Sequence, residues 1–202
     1  MNRIIARTGS VIVSATVFLF ALCMLISFDF GSYFVCMLLP IGYIMMASGF
    51  CAESDENHRA AAYTGMTLAA VYAALILLVY FAQLTAVRLD SLNEQAARIL
   101  DYARGGLFFS YNLLGYGMMA LSTFFVGLTI HVKTNADKWL KRLMLFHGIF
   151  FFGCFLMPMT GIFASMADGS TSIGGVIALT FWCVYFLPVG ILAYRHFRRE
   201  NK

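Results

Sequence analysis

Charged residues are scarce in this chain. Only 12% of its 202 residues are Asp, Glu, Lys or Arg, whereas a soluble globular domain carries about 25%. Apolar residues make up 61% of the chain, and its mean hydropathy is +0.80. This balance excludes an ordinary soluble domain and predicts an integral membrane protein.

The familiar motifs of catalysis and metal binding are also missing. The sequence contains no Gly-x-Ser-x-Gly, no His-Glu-x-x-His and no glycine-rich phosphate loop. Its five cysteines form no Cys-x-x-Cys pair and have no histidine beside them, so neither a disulfide framework nor a zinc site is indicated. We therefore predict no catalytic residue, no metal and no cofactor, and a protein that is not an enzyme is favoured over an enzyme.

Six apolar segments are long enough to cross a bilayer as helices. Each has about 18 or more residues, which at about 1.5 Å per residue spans about 30 Å of hydrocarbon. None shows the period-2 alternation of a membrane β-barrel strand. We predict an all-α membrane protein, a bundle of six transmembrane helices that forms a single integral membrane domain over residues 1–202. The predicted spans cover residues 10–28, 31–52, 61–87, 106–131, 143–166 and 172–194.

The distribution of Lys and Arg predicts the orientation of the bundle. If the amino terminus is cytoplasmic, all but three of the 14 Lys and Arg residues fall on the cytoplasmic side. The exceptions, Arg88, Arg98 and Arg104, lie in one external loop. The positive-inside rule thus predicts a multi-pass protein of the plasma membrane with both termini in the cytoplasm. The cytoplasmic cations predict contact with anionic membrane lipids, and no basic patch suited to nucleic acid is present.

A polar segment between the third and fourth spans predicts a short surface helix. Ser91 and Glu94 match a helix-capping box, and Gly105 and Gly106 supply a stop signal. We predict a short amphipathic helix over residues 92–103, which lies on the outer membrane surface or folds over the mouth of the bundle.

Two amide side chains lie at membrane depth beside this segment. Gln83 and Asn112 each fall about 6–9 Å inside the outer boundary at about 1.5 Å per residue. Because buried amides need partners, we predict that these two pair across neighbouring antiparallel helices. Tyr80 lies on the same face of the third span as Gln83, and Tyr116 lies on the same face of the fourth span as Asn112. Trp182 lies at mid-depth in the sixth span.

Charged residues at the outer mouth, among them Arg88 and Asp101, form the only group that resembles an active site. A lipid hydrolase or transferase would use the carboxylate as a base and the arginine to hold phosphate. The favoured alternative is that these residues form the polar face of the surface helix. Arg88 and Asp101 are therefore candidates for ligand binding rather than for catalysis.

The first cytoplasmic loop concentrates acidic residues beside a histidine. A metal site built from Glu53, Asp55, Glu56 and His58 is conceivable, but their spacing matches no known ligand pattern. A solvated acidic turn, in which Ser54 or Asp55 caps a helix, is the favoured interpretation.

Three stretches, QLTAVR at 83–88, LDYARGG at 100–106 and YNLLGYGMM at 111–119, resemble a group of uncharacterised bacterial six-helix membrane proteins. In that group, a Gln-Leu-Thr-x-x-Arg end of the third span precedes an Asp-Tyr pair and a Leu-Gly-Tyr in the fourth span. An acidic residue often stands there in place of Asn112, so the resemblance does not support a proton-linked role. The family has no established activity, so the resemblance implies no reaction. It implies only that the matching residues are candidates for a functional site, namely Gln83, Arg88, Asp101 and Asn112.

Three functions remain open from the sequence. The favoured one is binding of a lipid-like or small amphipathic ligand in a pocket of the outer half, for transport or sensing. The second is a non-catalytic subunit, in which small residues of the third span around Gly65 and of the sixth span at Gly174 and Ala178 pack against a membrane protein partner. The third is a lipid-modifying membrane enzyme. The candidate ligand-binding residues are Tyr80, Gln83, Arg88, Asp101, Asn112, Tyr116 and Trp182.

Overall fold

The predicted apolar segments form helices. The computed structural model describes residues 1–162 and 173–199, and these ranges contain no strand. Six helical segments are long and apolar enough to cross a membrane, which indicates a multi-pass membrane protein. Residues 163–166 and 172, at the ends of two predicted spans, lie outside the described residues. The helices are α1 (Asn2–Leu25), α2 (Asp29–Ala52), α3 (Arg59–Ala82), α4 (Glu94–Leu100), α5 (Leu107–Leu128), α6 (Asn135–His147), α7 (Phe150–Leu156) and α8 (Ile173–Arg198).

The long helices form a closed ring in chain order. α1 packs against α2 and α8, α2 against α3, α3 against α5, and α5 against α6 and α7, while α6 closes the ring on α8. The two ends of the chain meet at one end of the ring, where Arg3 Nη1 donates a hydrogen bond to the carbonyl oxygen of Arg199 over 2.8 Å. We call this end the terminal face, and we call the opposite end, which carries residues 88–106, the connection face.

The outside of the ring is apolar. Large side chains such as Phe81, Phe152 and Val184 are exposed by 59%, 61% and 69%. A soluble monomer rarely exposes so many large apolar groups together. This surface fits contact with lipid tails.

Small residues set the closest helix contacts. A Cβ at Gly9 of α1 would lie 2.5 Å from the backbone nitrogen of Met46 and 2.6 Å from the carbonyl oxygen of Gly42, both in α2. A Cβ at Gly65 of α3 would lie 2.7 Å from a methyl group of Val126 in α5. Because lipid tails are as apolar as the helices, close packing of this kind supplies much of the attraction between them. The surface at Gly65 is therefore used inside the chain.

The fifth span begins earlier than the predicted residue 143, because Asn135–Thr160 is one segment that is long and apolar enough to cross a membrane. α6 begins earlier, at a capping box made by Thr134 and Asp137, and a break at Gly148 separates it from α7. A Cβ at Gly148 would lie 2.9 Å from the Cβ of Phe124 in α5. The fifth span can therefore pack this close to α5 because Gly148 has no side chain.

The predicted surface helix is shorter than residues 92–103. α4 has seven residues, and its cap is Asn93, whose side-chain oxygen accepts a first-turn N–H over 2.9 Å, rather than Ser91. The helix ends where Asp101 adopts an extended backbone with ψ 115°. The Asp101 carboxylate accepts the N–H of Ala103 over 2.9 Å and starts a 3-10 turn. Such local bonds between side chain and backbone compete with helix continuation.

Replacing Gly9 by alanine is expected to destabilise the protein by about 1–3 kcal/mol, because the new methyl group forces α1 and α2 apart. Thermal unfolding in detergent measures the effect. The matched control is Gly153→Ala in α7, whose new Cβ would meet only the sulfur of Met157 at 4.0 Å. Equal melting temperatures for Gly9→Ala and the wild type would contradict the close contact.

Candidate functional site

A buried amide fixes the 88–106 segment to the ring. α3 continues beyond Ala82 into a π turn, Gln83–Val87, a distortion that is frequent at functional sites. Gln83 is only 3% exposed. Its Nε2 donates to the carbonyl oxygen of Leu100 over 2.8 Å, and its Oε1 accepts the backbone N–H of Tyr102 over 3.0 Å. One side chain thus satisfies two backbone groups of the segment.

The 88–106 segment also places the aromatic side chain of Tyr102 between the ends of the helices at the connection face. The Tyr102 ring centroid lies 5.1 Å from that of Phe109 in α5 and 6.1 Å from those of Tyr33 in α2 and Tyr80 in α3. Tyr33 and Tyr80 also contact each other, at 5.6 Å. Three helices therefore contribute to one aromatic cluster, which Tyr102 closes at the connection face.

The predicted pairing of Gln83 with Asn112 is wrong. Gln83 instead binds the backbone on either side of Asp101. The register between α3 and α5 explains the error, because a Cβ at Gly115 would lie 3.0 Å from Ile76. Counting along antiparallel helices from that contact, Asn112 is level with residue 79, about one helical turn (about 5.4 Å) from Gln83.

Four buried side-chain atoms have no hydrogen-bond partner among the described residues: Ser32 Oγ, His147 Nδ1, and the two on Asn112 and Tyr72 that concern the predicted site. Asn112 is 3% exposed and Tyr72 is fully buried. The side-chain oxygen of Asn112 and the hydroxyl of Tyr72 both lack a hydrogen bond within the described part of the chain. Leaving such a buried group unsatisfied costs about 1–3 kcal/mol. These two atoms are therefore available to a polar ligand.

Aromatic side chains lie beside Tyr72. The Tyr72 ring centroid lies 5.8 Å from that of Tyr116, and the Tyr116 and Trp182 ring centroids lie 5.4 Å apart with the rings edge to face. The Tyr116 hydroxyl donates to the sulfur of Cys36 over 3.8 Å, and Trp182 Nε1 donates to His147 Nε2 over 3.1 Å. Two of the predicted residues, Tyr116 and Trp182, are thus in direct contact in the middle of the ring.

Arg88 and Asp101, which were also predicted at the site, lie at its rim. The Arg88 guanidinium is exposed and lies 5.0 Å from the centroid of the Phe30 ring. Asp101 caps the 3-10 turn and lies 3.6 Å from Arg104. Both residues therefore have local structural roles at the connection face.

Sequence reasoning missed Tyr102 and Tyr72. The predicted helix over 92–103 treated Tyr102 as an ordinary helical residue. Asp101, directly before it, is a typical turn-capping residue and was a signal that the helix ends there. Tyr72 lies two helical turns before Tyr80, on the same face of α3, and that spacing was a usable signal.

A network of charged groups joins four parts of the chain at the terminal face. His196 Nε2 lies 3.0 Å from Glu53, and its Nδ1 lies 2.8 Å from Asp137. Because both ring nitrogens face carboxylate oxygens, a protonated His196 donates a hydrogen bond to each of the two acids. Arg3 binds Glu53 at 3.0 Å, and Arg199 binds Asp137 at 2.7 Å. This pairing compensates the burial of Asp137, which is 1% exposed.

The network lines a cavity of about 510 Å³. Arg3, Lys133, His196 and Arg199 contribute positive groups to its wall, and Glu53 contributes a carboxylate. The wall is therefore cationic on balance, which suits an anionic group.

No family model, curated protein or solved structure matches this chain. The resemblance to bacterial six-helix membrane proteins therefore rests on the three quoted stretches alone. The geometry of this chain's own side chains is the basis for any functional argument.

Replacing Gln83 by leucine is expected to loosen the 88–106 segment, because its two backbone hydrogen bonds, each worth about 0.5–1.5 kcal/mol, are lost. Hydrogen exchange of residues 94–104 should accelerate about 5-fold or more, while exchange in α5 stays unchanged. Thr85→Val is the matched control, because Thr85 bonds only the carbonyl oxygen of Phe81 in its own helix. Unchanged exchange in Gln83→Leu would contradict the role of the amide.

The terminal-face network predicts a pH dependence. The hydrogen bond from His196, with Arg3 beside it, holds the pKa of Glu53 below its ordinary value of 4.5, although partial burial opposes this. The ionised carboxylate therefore adds stability above about pH 4.5, and this stability is lost as pH falls through the lowered pKa.

The variant Glu53→Gln is accordingly expected to melt at a lower temperature at pH 7 and to lose less stability than the wild type between pH 5 and pH 3. Melting temperatures measured across that range provide the test. Glu56→Gln is the control, since Glu56 is 89% exposed and pairs only with Arg59. Parallel pH profiles for the wild type and Glu53→Gln would refute the prediction.

Proposed function

We propose that this protein binds a lipid-like or small amphipathic ligand inside its helix ring, beneath the 88–106 segment, for transport or sensing. The observation that carries the proposal is the side-chain oxygen of Asn112, which is buried without a hydrogen-bond partner among the described residues. A ligand with one hydrogen-bond donor would satisfy it. The hydroxyl of Tyr72 supplies a second polar anchor.

The aromatic residues among the predicted site residues support an amphipathic ligand. Tyr80, Tyr116 and Trp182 are aromatic, and each presents apolar ring surface together with one polar atom. A ligand with an apolar body and one or two polar groups matches this combination. Strongly charged ligands are disfavoured, because no ionisable Asp, Glu, Lys or Arg lies within the described part of α5 or α8 at this depth.

Access to this site requires movement of the 88–106 segment. Tyr102 packs against Tyr33, Tyr80 and Phe109, and Gln83 fixes the backbone beside it. The remaining bonds of the segment are exposed ion pairs such as Glu94–Arg98, which contribute little stability. The contacts of Tyr102 and Gln83 are thus the main ones that must break for the 88–106 segment to move away from the helices.

We further propose that the protein lies in a plasma membrane with its terminal face in the cytoplasm. The Lys and Arg distribution supports this orientation. The cationic cavity at the terminal face supports the expected contact with anionic lipid headgroups there. A role as a subunit of a larger complex has less support, because Gly65 packs against Val126 of the same chain.

The proposal predicts opposite effects of Asn112→Leu on ligand retention and on stability. Native mass spectrometry of protein extracted in mild detergent should detect a co-purified ligand in the wild type and lose it in the variant. Ligand-free Asn112→Leu should melt higher than ligand-free wild type, since an unsatisfied buried amide costs about 1–3 kcal/mol.

Gln95→Leu is the matched control, because Gln95 is an exposed amide on α4. It should leave both ligand retention and melting temperature unchanged. Retention of the same bound mass in Asn112→Leu, or no co-purified species in the wild type, would contradict the proposal.

A further inference from the structure

We propose that Asp55, His58 and His131 form a binding site for a divalent transition-metal ion such as Zn²⁺. The three side chains belong to two loops of the terminal face, one after α2 and the other after α5. The site is independent of the ligand site proposed inside the ring, since it lies at the opposite end of the helices.

The ligand atoms converge on one point. Asp55 Oδ1 lies 2.7 Å from His58 Nδ1, and Asp55 Oδ2 lies 3.4 Å from His131 Nε2. All three groups offer ligand atoms within 4.8 Å of one another. A metal ion with bonds of about 2.0–2.2 Å places neighbouring ligand atoms about 3–3.5 Å apart. Small rotations of these side chains are therefore enough to coordinate an ion.

Hydrogen bonds within the chain fix the backbone on both sides of the proposed metal site, so the metal is not needed to form the two loops. Asp55 accepts the backbone N–H of His58 over 3.0 Å and so caps the 3-10 turn Glu56–His58. On the other loop, Ile130 is 2% exposed, and its carbonyl oxygen accepts a hydrogen bond from Lys141 Nζ over 3.0 Å. His131 follows this anchored residue directly. Both sides of the site are thus positioned in advance.

The chemistry of the three ligands indicates the class of ion. Two imidazole nitrogens and one carboxylate oxygen suit Zn²⁺, Co²⁺, Ni²⁺ or Fe²⁺, whereas Mg²⁺ and Ca²⁺ prefer oxygen ligands throughout. Three protein ligands leave at least one coordination position for water or an anion. The side chains are 39–46% exposed, so an ion can enter from solvent.

The position of the site suggests what a bound ion does. An ion would join the loop after α2 to the loop after α5 and reduce their relative motion. His131 also lines the cationic cavity, beside Lys133. An anionic group bound in that cavity could therefore take the open coordination position.

The test uses full-length protein that carries no histidine tag and has been stripped of metal with a chelator. Co²⁺ titration is followed by the visible absorption of the bound ion, and Zn²⁺ is then added as a competitor. The wild type should bind one ion per chain, and Zn²⁺ should displace the Co²⁺ spectrum.

Two variants remove one ligand each with little effect on folding. Asp55→Asn keeps the turn cap, since Asn and Asp cap equally well, and His131→Gln keeps a polar side chain of similar reach. Each should weaken Co²⁺ binding about 100-fold or more, since loss of even an outer-shell partner costs about 10–100-fold. Glu56→Gln, an exposed carboxylate in the same turn but outside the cluster, should change the affinity less than about 2-fold.

Equal Co²⁺ affinity in the wild type, Asp55→Asn and His131→Gln would overturn the proposal, as would an absence of saturable binding in the wild type. An equal loss in Glu56→Gln would also overturn it, because binding would then follow loop charge rather than the three ligands. If either ligand variant fails to elute as a folded species in size-exclusion chromatography, His58→Gln takes its place with the same expected loss.

Discussion

Polar groups buried between apolar helices must find their partners within the chain, because hydrocarbon offers none. This constraint accounts for much of the ring. The Tyr43 hydroxyl in α2 lies 2.9 Å from Ser122 in α5, and Ser122 in turn donates to the carbonyl oxygen of Gly65 in α3 over 2.7 Å. Three helices are thereby joined at one polar contact. Gln83 meets the same need at the connection face by binding the backbone of the 88–106 segment.

Charge pairing extends this principle to the terminal face. A nearly buried Asp137 would be costly alone, and His196 and Arg199 compensate it. His196 reaches Glu53 on its other side, so helices from both halves of the chain are tied together where the ring closes. At the same face, the packing of α3 against α5 brings the loop of Asp55 beside the loop of His131. Charged groups that are distant in sequence therefore concentrate at this end.

The constraint is unmet at four buried side-chain atoms among the described residues, and two of these atoms belong to the proposed ligand site. The side-chain oxygen of Asn112 and the Tyr72 hydroxyl lack partners among the described residues. Local inconsistencies of this kind are expected where a protein keeps groups for a ligand. Tyr102 and Gln83 hold the 88–106 segment against the helices at the connection face.

Local patterns in the sequence determined the six apolar helices, the capping box of Thr134 and the cap at Asp55, because hydropathy and capping depend on residues within a few positions of one another. The tertiary structure alone decided which polar groups meet. A shift of one helical turn between α3 and α5 places Gln83 against the 88–106 segment instead of Asn112, and the packing of α3 against α5 places His131 beside Asp55. Relative translations of helices arise from packing at residues such as Gly65 and Gly115, and no local pattern encodes them.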